Sequence, residues 1–175
     1  ALDDSSLLAA LGQIRLAQRR DEEGLALLER ALKADPGIYP QLNRAAELLL
    51  SRRAEAPAVT LLRVVQQANP RAAGANYLLA QIAEGKGRTG EALASYRREL
   101  EIDPAHFAAA VNLANLLKQR GEWAEAARYY RMAIAANAAL KMPRFHLAEI
   151  VLRERGDLNE AIALCQKGIE LPPQD

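Results

Sequence analysis

Few side chains in this sequence have the types and spacing that chemistry needs. His106 and His146 lie far apart, and no cysteine or carboxylate cluster at metal-ligand spacing accompanies them. Cys165 is the only cysteine, which excludes an internal disulfide and a cysteine-cluster metal site. The run GKGRTG, residues 85–90, lacks the G-x4-G-K-S/T spacing of a phosphate-binding loop. We therefore predict a protein that is not an enzyme and that uses no cofactor or metal.

Charge and composition exclude several classes of partner. The 23 basic and 22 acidic residues are interspersed and leave a net charge of +1, so no one-signed field attracts nucleic acid or an anionic membrane. Half of the chain is apolar and only 5% is aromatic, with alanine and leucine dominant, which favours helix over strand. No apolar run reaches the ~18 residues needed to cross a bilayer. We expect a soluble protein without membrane insertion.

The ends of the sequence suggest where it comes from. The first residues, ALDDSS, lack the basic start and apolar stretch of a signal peptide. The sequence begins with Ala1 rather than methionine, which predicts an excised domain or a processed product. The sequence is compatible with a cytoplasmic or a periplasmic location.

The sequence repeats with a period of 34 residues. Pro36, Pro70 and Pro104 each end a helical apolar pattern, because proline lacks an amide hydrogen and displaces the preceding residue from the α region. Small residues recur at Gly24, Ala58, Ala92, Ala126 and Ala161. Bulky residues, expected to be buried, follow at Leu28, Leu62, Tyr96, Tyr130 and Cys165. An apolar residue also precedes a small one at Leu11-Gly12, Ala45-Ala46, Leu79-Ala80, Leu113-Ala114 and Leu147-Ala148.

This unit of helix, turn, helix and proline, with small residues facing bulky ones, resembles the tetratricopeptide repeat, W-x2-L-G-x2-Y, A-x3-F, P. Five repeats are predicted, at residues 5–38, 39–72, 73–106, 107–140 and 141–175. The last has a one-residue insertion and places Pro173 at the proline position. The resemblance implies an all-α fold, an α-solenoid of antiparallel helix pairs in a right-handed superhelix, and one array over residues 1–175. An irregular helical bundle is the alternative.

The repeats depart from the family pattern at the turn between their two helices. A glycine stands there in the last three repeats, at Gly87, Gly121 and Gly156, but Arg19 and Arg53 replace it in the first two. Those two repeats must use a different turn or accept strain. No repeat has the tryptophan of the family pattern at its fourth position. Ala138 stands where the fourth repeat would have its proline.

The resemblance implies a concave groove lined by the first helix of each repeat. The residues at the groove-lining positions are Gln13, Asn43, Arg44, Glu47, Tyr77, Gln81, Asn112, Asn115, Phe145, His146 and Glu149. Amides both donate and accept, so they can pair with the main chain of an extended peptide whatever its side chains. Tyr77 and Phe145 would offer apolar surface to that peptide. The simpler interpretation is a solvated groove with idle polar residues.

This groove predicts a protein-protein interaction module, a scaffold or adaptor, with a protein or peptide partner. The cations of a carboxylate-binding clamp are missing, so a C-terminal carboxylate is not the expected ligand. The phrase NLANLLKQRGEWAEA resembles repeats whose asparagines grip a peptide backbone, with Lys118 to Gly121 as the inter-helix turn. Alanine at Gln81, Asn112 and Asn115 is expected to weaken binding and to leave stability nearly unchanged.

Two other functional classes are alternatives to peptide binding. The chain can be a non-catalytic structural or oligomerisation arm of a larger protein, itself enzymatic or not. The final residues, LPPQD, provide no capping helix, which predicts an open apolar face on the C-terminal repeat and self-association through it. RNA binding is disfavoured by the balanced charge and by the absence of a repeated base-recognition pair.

Overall fold

The computed structural model describes residues 4–172, except for the side chain of Arg155. Within that range the chain forms ten α-helices, one short 3-10 helix over Pro36–Ile38 and no strand. The helices are α1 Asp4–Ala17, α2 Asp21–Ala34, α3 Tyr39–Ser51, α4 Glu55–Ala68, α5 Ala75–Gly85, α6 Thr89–Ile102, α7 Phe107–Gln119, α8 Trp123–Ala136, α9 Met142–Arg155 and α10 Leu158–Glu170. Helices pack in pairs within four of the predicted repeats, α1 with α2, α3 with α4, α7 with α8 and α9 with α10. The bounds of all ten helices follow the predicted repeats, so the all-α helical-repeat fold is confirmed.

The same backbone conformation joins the two helices of every repeat. Gly87, Gly121 and Gly156 have φ of 70°, 78° and 63°, in the left-handed region. Arg19 and Arg53 take the same conformation, with φ of 62° and 64°. The first two repeats therefore keep the turn of the others and accept the strain of a Cβ atom at positive φ.

The chain divides into two compact units, Ala1–Ser95 and Tyr96–Asp175, with the boundary inside α6. We call them unit 1 and unit 2. The small and bulky residues of the repeat pack together in unit 1 as predicted. A Cβ atom on Gly24 would lie 2.6 Å from Leu16 Cδ2, and one on Gly12 would lie 2.8 Å from Leu28 Cγ. Only glycine permits this approach of α1 and α2.

The core of unit 2 is built on the same pattern. Leu113, Ala126 and Tyr130 are fully buried where α7 packs against α8. Arg131 on α8 donates to Glu160 on α10 at 3.0 Å, and Arg97 on α6 donates to Glu125 on α8 at 3.1 Å. The second helices of successive repeats in this unit are thus joined by an arginine-glutamate pair at a constant repeat position.

A cation-π contact also joins the last two repeats. Trp123, the first residue of α8, lies under the guanidinium of Arg153 on α9, with 4.5 Å from Cζ to the ring centroid. An arginine over an indole face is the more favourable form of this contact.

Burial changes at the two ends of the repeat series, and one prediction of burial, at Cys165, is wrong. Leu11 is 40% exposed because the face of α1 on which it lies is uncovered, whereas its equivalent Leu147 is buried where α9 packs against α8. Cys165 is half-buried rather than buried, because the corresponding face of α10 is likewise uncovered. Pro173, predicted to end the fifth repeat, lies outside the described residues.

Candidate functional site

Unit 2 presents a row of polar side chains on α7 and α9, the first helices of the fourth and fifth repeats. The row contains Asn112, Asn115, Lys118, His146 and Glu149. Four of the five were predicted from the repeat positions, and Lys118 was not. We call these five residues the polar surface of unit 2.

The two asparagines bind the hydroxyl groups of buried tyrosines. Asn112 Nδ2 donates to Tyr96 Oη at 3.1 Å, and Asn115 Oδ1 accepts from Tyr130 Oη at 2.6 Å. Both tyrosine rings are fully buried at the bulky position of their repeats. Burial, with a smaller effect of the Glu149 carboxylate, raises the pKa of Tyr130, so its hydroxyl stays a donor. The predicted insensitivity of stability to alanine is therefore corrected at Asn115, since alanine there would remove the acceptor of the Tyr130 hydroxyl.

These bonds fix how each amide is presented. Asn112 uses its donor atom and leaves Oδ1, an acceptor, for a second partner. Asn115 uses its acceptor atom and leaves the two N–H groups of Nδ2. The residues are three positions apart on α7, so their side chains are neighbours on one face of the helix. One acceptor and one donor are thus held side by side.

Lys118 connects the polar residues of α9 to those of α7. Its Nζ lies 3.0 Å from Nδ1 of His146 and forms an ion pair with the Glu149 carboxylate. The prediction that Lys118 belongs to the inter-helix turn is wrong. It lies in the last turn of α7, where a cation is favoured by the helix dipole, and its long side chain reaches the next repeat.

The ionisation of this cluster follows from its contacts. Burial, and then the nearby positive charge of Lys118, lower the pKa of His146, while Glu149 opposes the shift. The hydrogen bond from Lys118 is the largest cause that lowers the pKa of Glu149. At neutral pH the imidazole is therefore neutral, accepts from the ammonium group, and lies with its ring centroid 5.6 Å from that of Tyr130.

In unit 1, two predicted groove residues bond to backbone of the next repeat, at α3 for Gln13 and just before α5 for Asn43. Gln13 Nε2 donates to the carbonyl oxygen of Gln41 at 3.0 Å, and Asn43 Nδ2 donates to that of Ala73 at 2.8 Å. Asn43 is buried, and its Oδ1 has no partner among the described residues. Gly74 lies so close that an added Cβ atom would be 2.8 Å from Asn43 Nδ2.

The remaining predicted residues of unit 1 are accessible. Arg44, Glu47 and Gln81 are exposed, and Tyr77 is half-buried. Gln81 Nε2 donates to Tyr77 Oη at 2.9 Å, one turn apart on α5. This pair resembles the amide-tyrosine contacts of unit 2, although here both partners lie on one helix.

Phe145 packs against α10 rather than against α7. Its ring packs on Gly168 of α10, where an added Cβ atom would be 3.1 Å from Phe145 Cζ. With residues of α9 and α10 it lines an apolar groove of about 520 Å³. We call this the terminal groove; its largest aliphatic residues are Leu152, Leu158, Ile162 and Ile169. Glycine at residue 168, in a helix interior, is the sequence signal for this packing.

Metal sites and membrane-spanning helices are absent from the described part of the chain. No group of three or more histidine, cysteine, aspartate or glutamate residues there is arranged to hold a metal ion. None of the helices over residues 4–172 has the length and hydropathy to span a bilayer.

Comparisons with known proteins agree with the repeat pattern. The sequence model of the Tetratricopeptide repeat family matches residues 39–107 and 111–175. Solved structures with the same fold include a MamA protein, with 16% identity, 95% of this chain and 90% of that chain covered, and a TM-score of 0.70. PilF of Pseudomonas aeruginosa has 17% identity, coverage of 98% and 78%, and a TM-score of 0.70. YrrB, described as a TPR protein with an unusual peptide-binding site, has 15% identity, coverage of 98% and 88%, and a TM-score of 0.67. A search of the curated proteins found no significant match.

Proposed function

Because this chain belongs to the tetratricopeptide-repeat family, we propose that it is a protein-interaction module that binds an extended polypeptide segment on the polar surface of unit 2. Its role is that of a scaffold or adaptor. The description of YrrB as a peptide-binding member of the same fold class is consistent with this function. The partner is a protein or peptide with an extended segment whose backbone N–H and C=O groups are not hydrogen-bonded to each other.

The observation that carries the proposal is the fixed pair of amides on α7. Asn112 offers an acceptor and Asn115 offers a donor, because buried tyrosine hydroxyls occupy the opposite atom of each amide. An extended peptide presents N–H and C=O groups that need one acceptor and one donor. Side chains held by buried partners lose little conformational freedom when a ligand binds, which favours affinity.

The charged residues of the polar surface supply selectivity. Lys118 and Glu149 form a partly exposed ion pair, and His146 accepts from the same ammonium group. A ligand carboxylate near Lys118 would compete with Glu149, and a ligand cation would compete with Lys118. Such exposed pairs contribute little to stability, so exchanging one partner for a ligand charge costs little.

In unit 1, we propose that a second set of contacts comes from Arg44, Glu47, Tyr77 and Gln81. These residues are accessible and lie on the first helices α3 and α5. Gln13 supports this surface through its bond to α3, and Asn43 through its bond to the turn that precedes α5. The organisation of the five repeats as one array stays a prediction.

The test uses Asn115→Asp in the full chain. The aspartate keeps the acceptor that Tyr130 needs and replaces the donor with an oxygen that repels a peptide carbonyl. Peptides are first selected on the wild-type chain from a display library of random unstructured sequences. We expect their affinity for the variant to fall at least about tenfold, or ~1.4 kcal/mol.

The matched control is Asn137→Asp, which makes the same change outside the polar surface. Asn137 Oδ1 accepts from the amide of Ala139 at 2.9 Å, so that variant also keeps its acceptor contact. Its peptide affinity should equal that of the wild type. Equal losses in the two variants, or a library that yields no binder, would overturn the proposal.

A further inference from the structure

The two uncovered faces at the ends of the repeat series have matching chemistry. On α1, Leu7, Leu11 and Ile14 are between 40% and 53% exposed. They are spaced by four and three positions, so they form one apolar stripe along the helix. On α9 and α10, the four aliphatic residues of the terminal groove are between 44% and 73% exposed.

The stripe on α1 occupies positions that, in the fifth repeat, pack on the preceding repeat. Its equivalents in the fifth repeat are Pro143, Leu147 and Ile150, and all three are buried where α9 packs against α8. The sequence therefore gives α1 the surface of a helix that packs on a preceding repeat.

The terminal groove presents the other half of the same interface. The equivalents of Leu158, Ile162 and Ile169 on the second helix of the fourth repeat are Trp123, Ala127 and Ile134. These three are buried or half-buried, since α9 lies against α8. In the fifth repeat the corresponding residues are exposed.

We propose that a second copy of this chain docks its α1 stripe in the terminal groove, so that copies associate head to tail. The contact would continue the repeat-repeat interface that the chain already forms within itself. It is heterologous, because a different surface of each copy takes part, and successive additions lengthen the assembly unless the rotation closes a ring.

The polar pairs between the second helices of successive repeats can also extend across the proposed contact between two copies. Within unit 2 the glutamates Glu125 and Glu160 accept from Arg97 and Arg131 of the preceding repeat. The equivalent glutamate of the first repeat is Glu23, and the equivalent donor position of the fifth repeat holds Gln166. Glu23 already accepts from Arg20 at 2.8 Å, and a carboxylate has further lone pairs with which it can accept from a glutamine amide, so the docked pair is complementary.

The size of the apolar contact sets the strength of association. Seven half-exposed aliphatic side chains supply about 700 Å² of the roughly 1,200–2,000 Å² that a stable interface buries. The polar flanks must supply the rest. We expect a micromolar to millimolar dissociation constant, and hence a mass that rises with concentration in sedimentation experiments.

The test compares two variants, each of which blocks one face. Leu11→Glu places a charge in the α1 stripe, and Ile162→Glu places one in the terminal groove. Both positions are exposed, so the fold should persist, which circular dichroism checks. Each variant alone should associate at least about tenfold more weakly than the wild type. A mixture of the two should recover association and stop at a one-to-one dimer, because one intact face of each kind remains.

Other outcomes distinguish other occupants of the groove. Association of Leu11→Glu alone at wild-type strength would show contact between two terminal grooves and overturn the proposal. A wild-type chain that stays monomeric up to millimolar concentration would also overturn it and assign the groove to a different partner. Met142→Glu is the control, since Met142 is exposed at the start of α9 outside both faces and should leave association unchanged.

Discussion

Replacing Arg19 and Arg53 by glycine should stabilise unit 1. Both residues have positive φ at the turn where the later repeats have glycine. Their side chains are exposed and form no hydrogen bond or ion pair with the described residues, so the substitution removes no contact. The expected gain comes from the backbone alone.

The magnitude is a difference of two backbone effects. A left-handed conformation costs a residue with a Cβ atom roughly 1–2 kcal/mol. Glycine offsets about 0.5–1 kcal/mol of that gain, because it loses more backbone conformational entropy on folding than other residues do. The net expectation is ~0.5–1 kcal/mol per site and about twice that for the double variant, because distant changes add. For a chain of this length, 1 kcal/mol corresponds to a rise of about 2–4 °C in Tm.

Urea and thermal unfolding followed by circular dichroism measure this gain. The control is the double variant Arg19→Ala and Arg53→Ala, which removes the same charges but keeps a Cβ atom at positive φ. It should show little change. Equal stabilisation by alanine and glycine would mean that charge removal is the cause, and a lower midpoint for the glycine variant would refute the backbone argument.

Three further outcomes are expected in unit 2. Leu113→Ala should cost about 2–5 kcal/mol, since the side chain is fully buried, and an unchanged urea midpoint would contradict the packing described. Tyr130→Phe should cost about 1 kcal/mol through loss of the Asn115 contact, measured by the same titration. The lowered pKa of His146 means that the unfolded state takes up a proton first as pH falls below 6.5. Stability should therefore drop from that pH towards the folded pKa, and His146→Gln should remove this part of the pH dependence.

The repeat period predicted the fold because each repeat buries its residues against equivalent neighbours. Where no described repeat packs on a face, the same repeat position is exposed or half-buried, as at Leu11 and Cys165. Arg19 and Arg53 kept the common turn because the packing of two helices outweighs about 1–2 kcal/mol of backbone strain.

The repeat positions predicted four of the five residues of the polar surface of unit 2, but not the contacts that they make. Tyr96 and Tyr130 are the two bulky positions that carry a hydroxyl, and a buried hydroxyl needs a partner. Asparagines stand on the neighbouring first helix, at Asn112 and Asn115, so a signal for their pairing existed in the sequence. The role of Lys118 had no comparable signal, because a lysine side chain reaches partners that repeat spacing does not specify.

The position of Trp123 has a consequence for spectroscopy. It is the single tryptophan of the chain and lies in unit 2 against the guanidinium of Arg153. Indole emission therefore reports the local environment of unit 2, whereas far-ultraviolet ellipticity averages over the helices of both units. When the two signals are followed in one titration, coincident curves mean that the halves of the chain melt together, and separated curves give each half its own transition without any label being introduced.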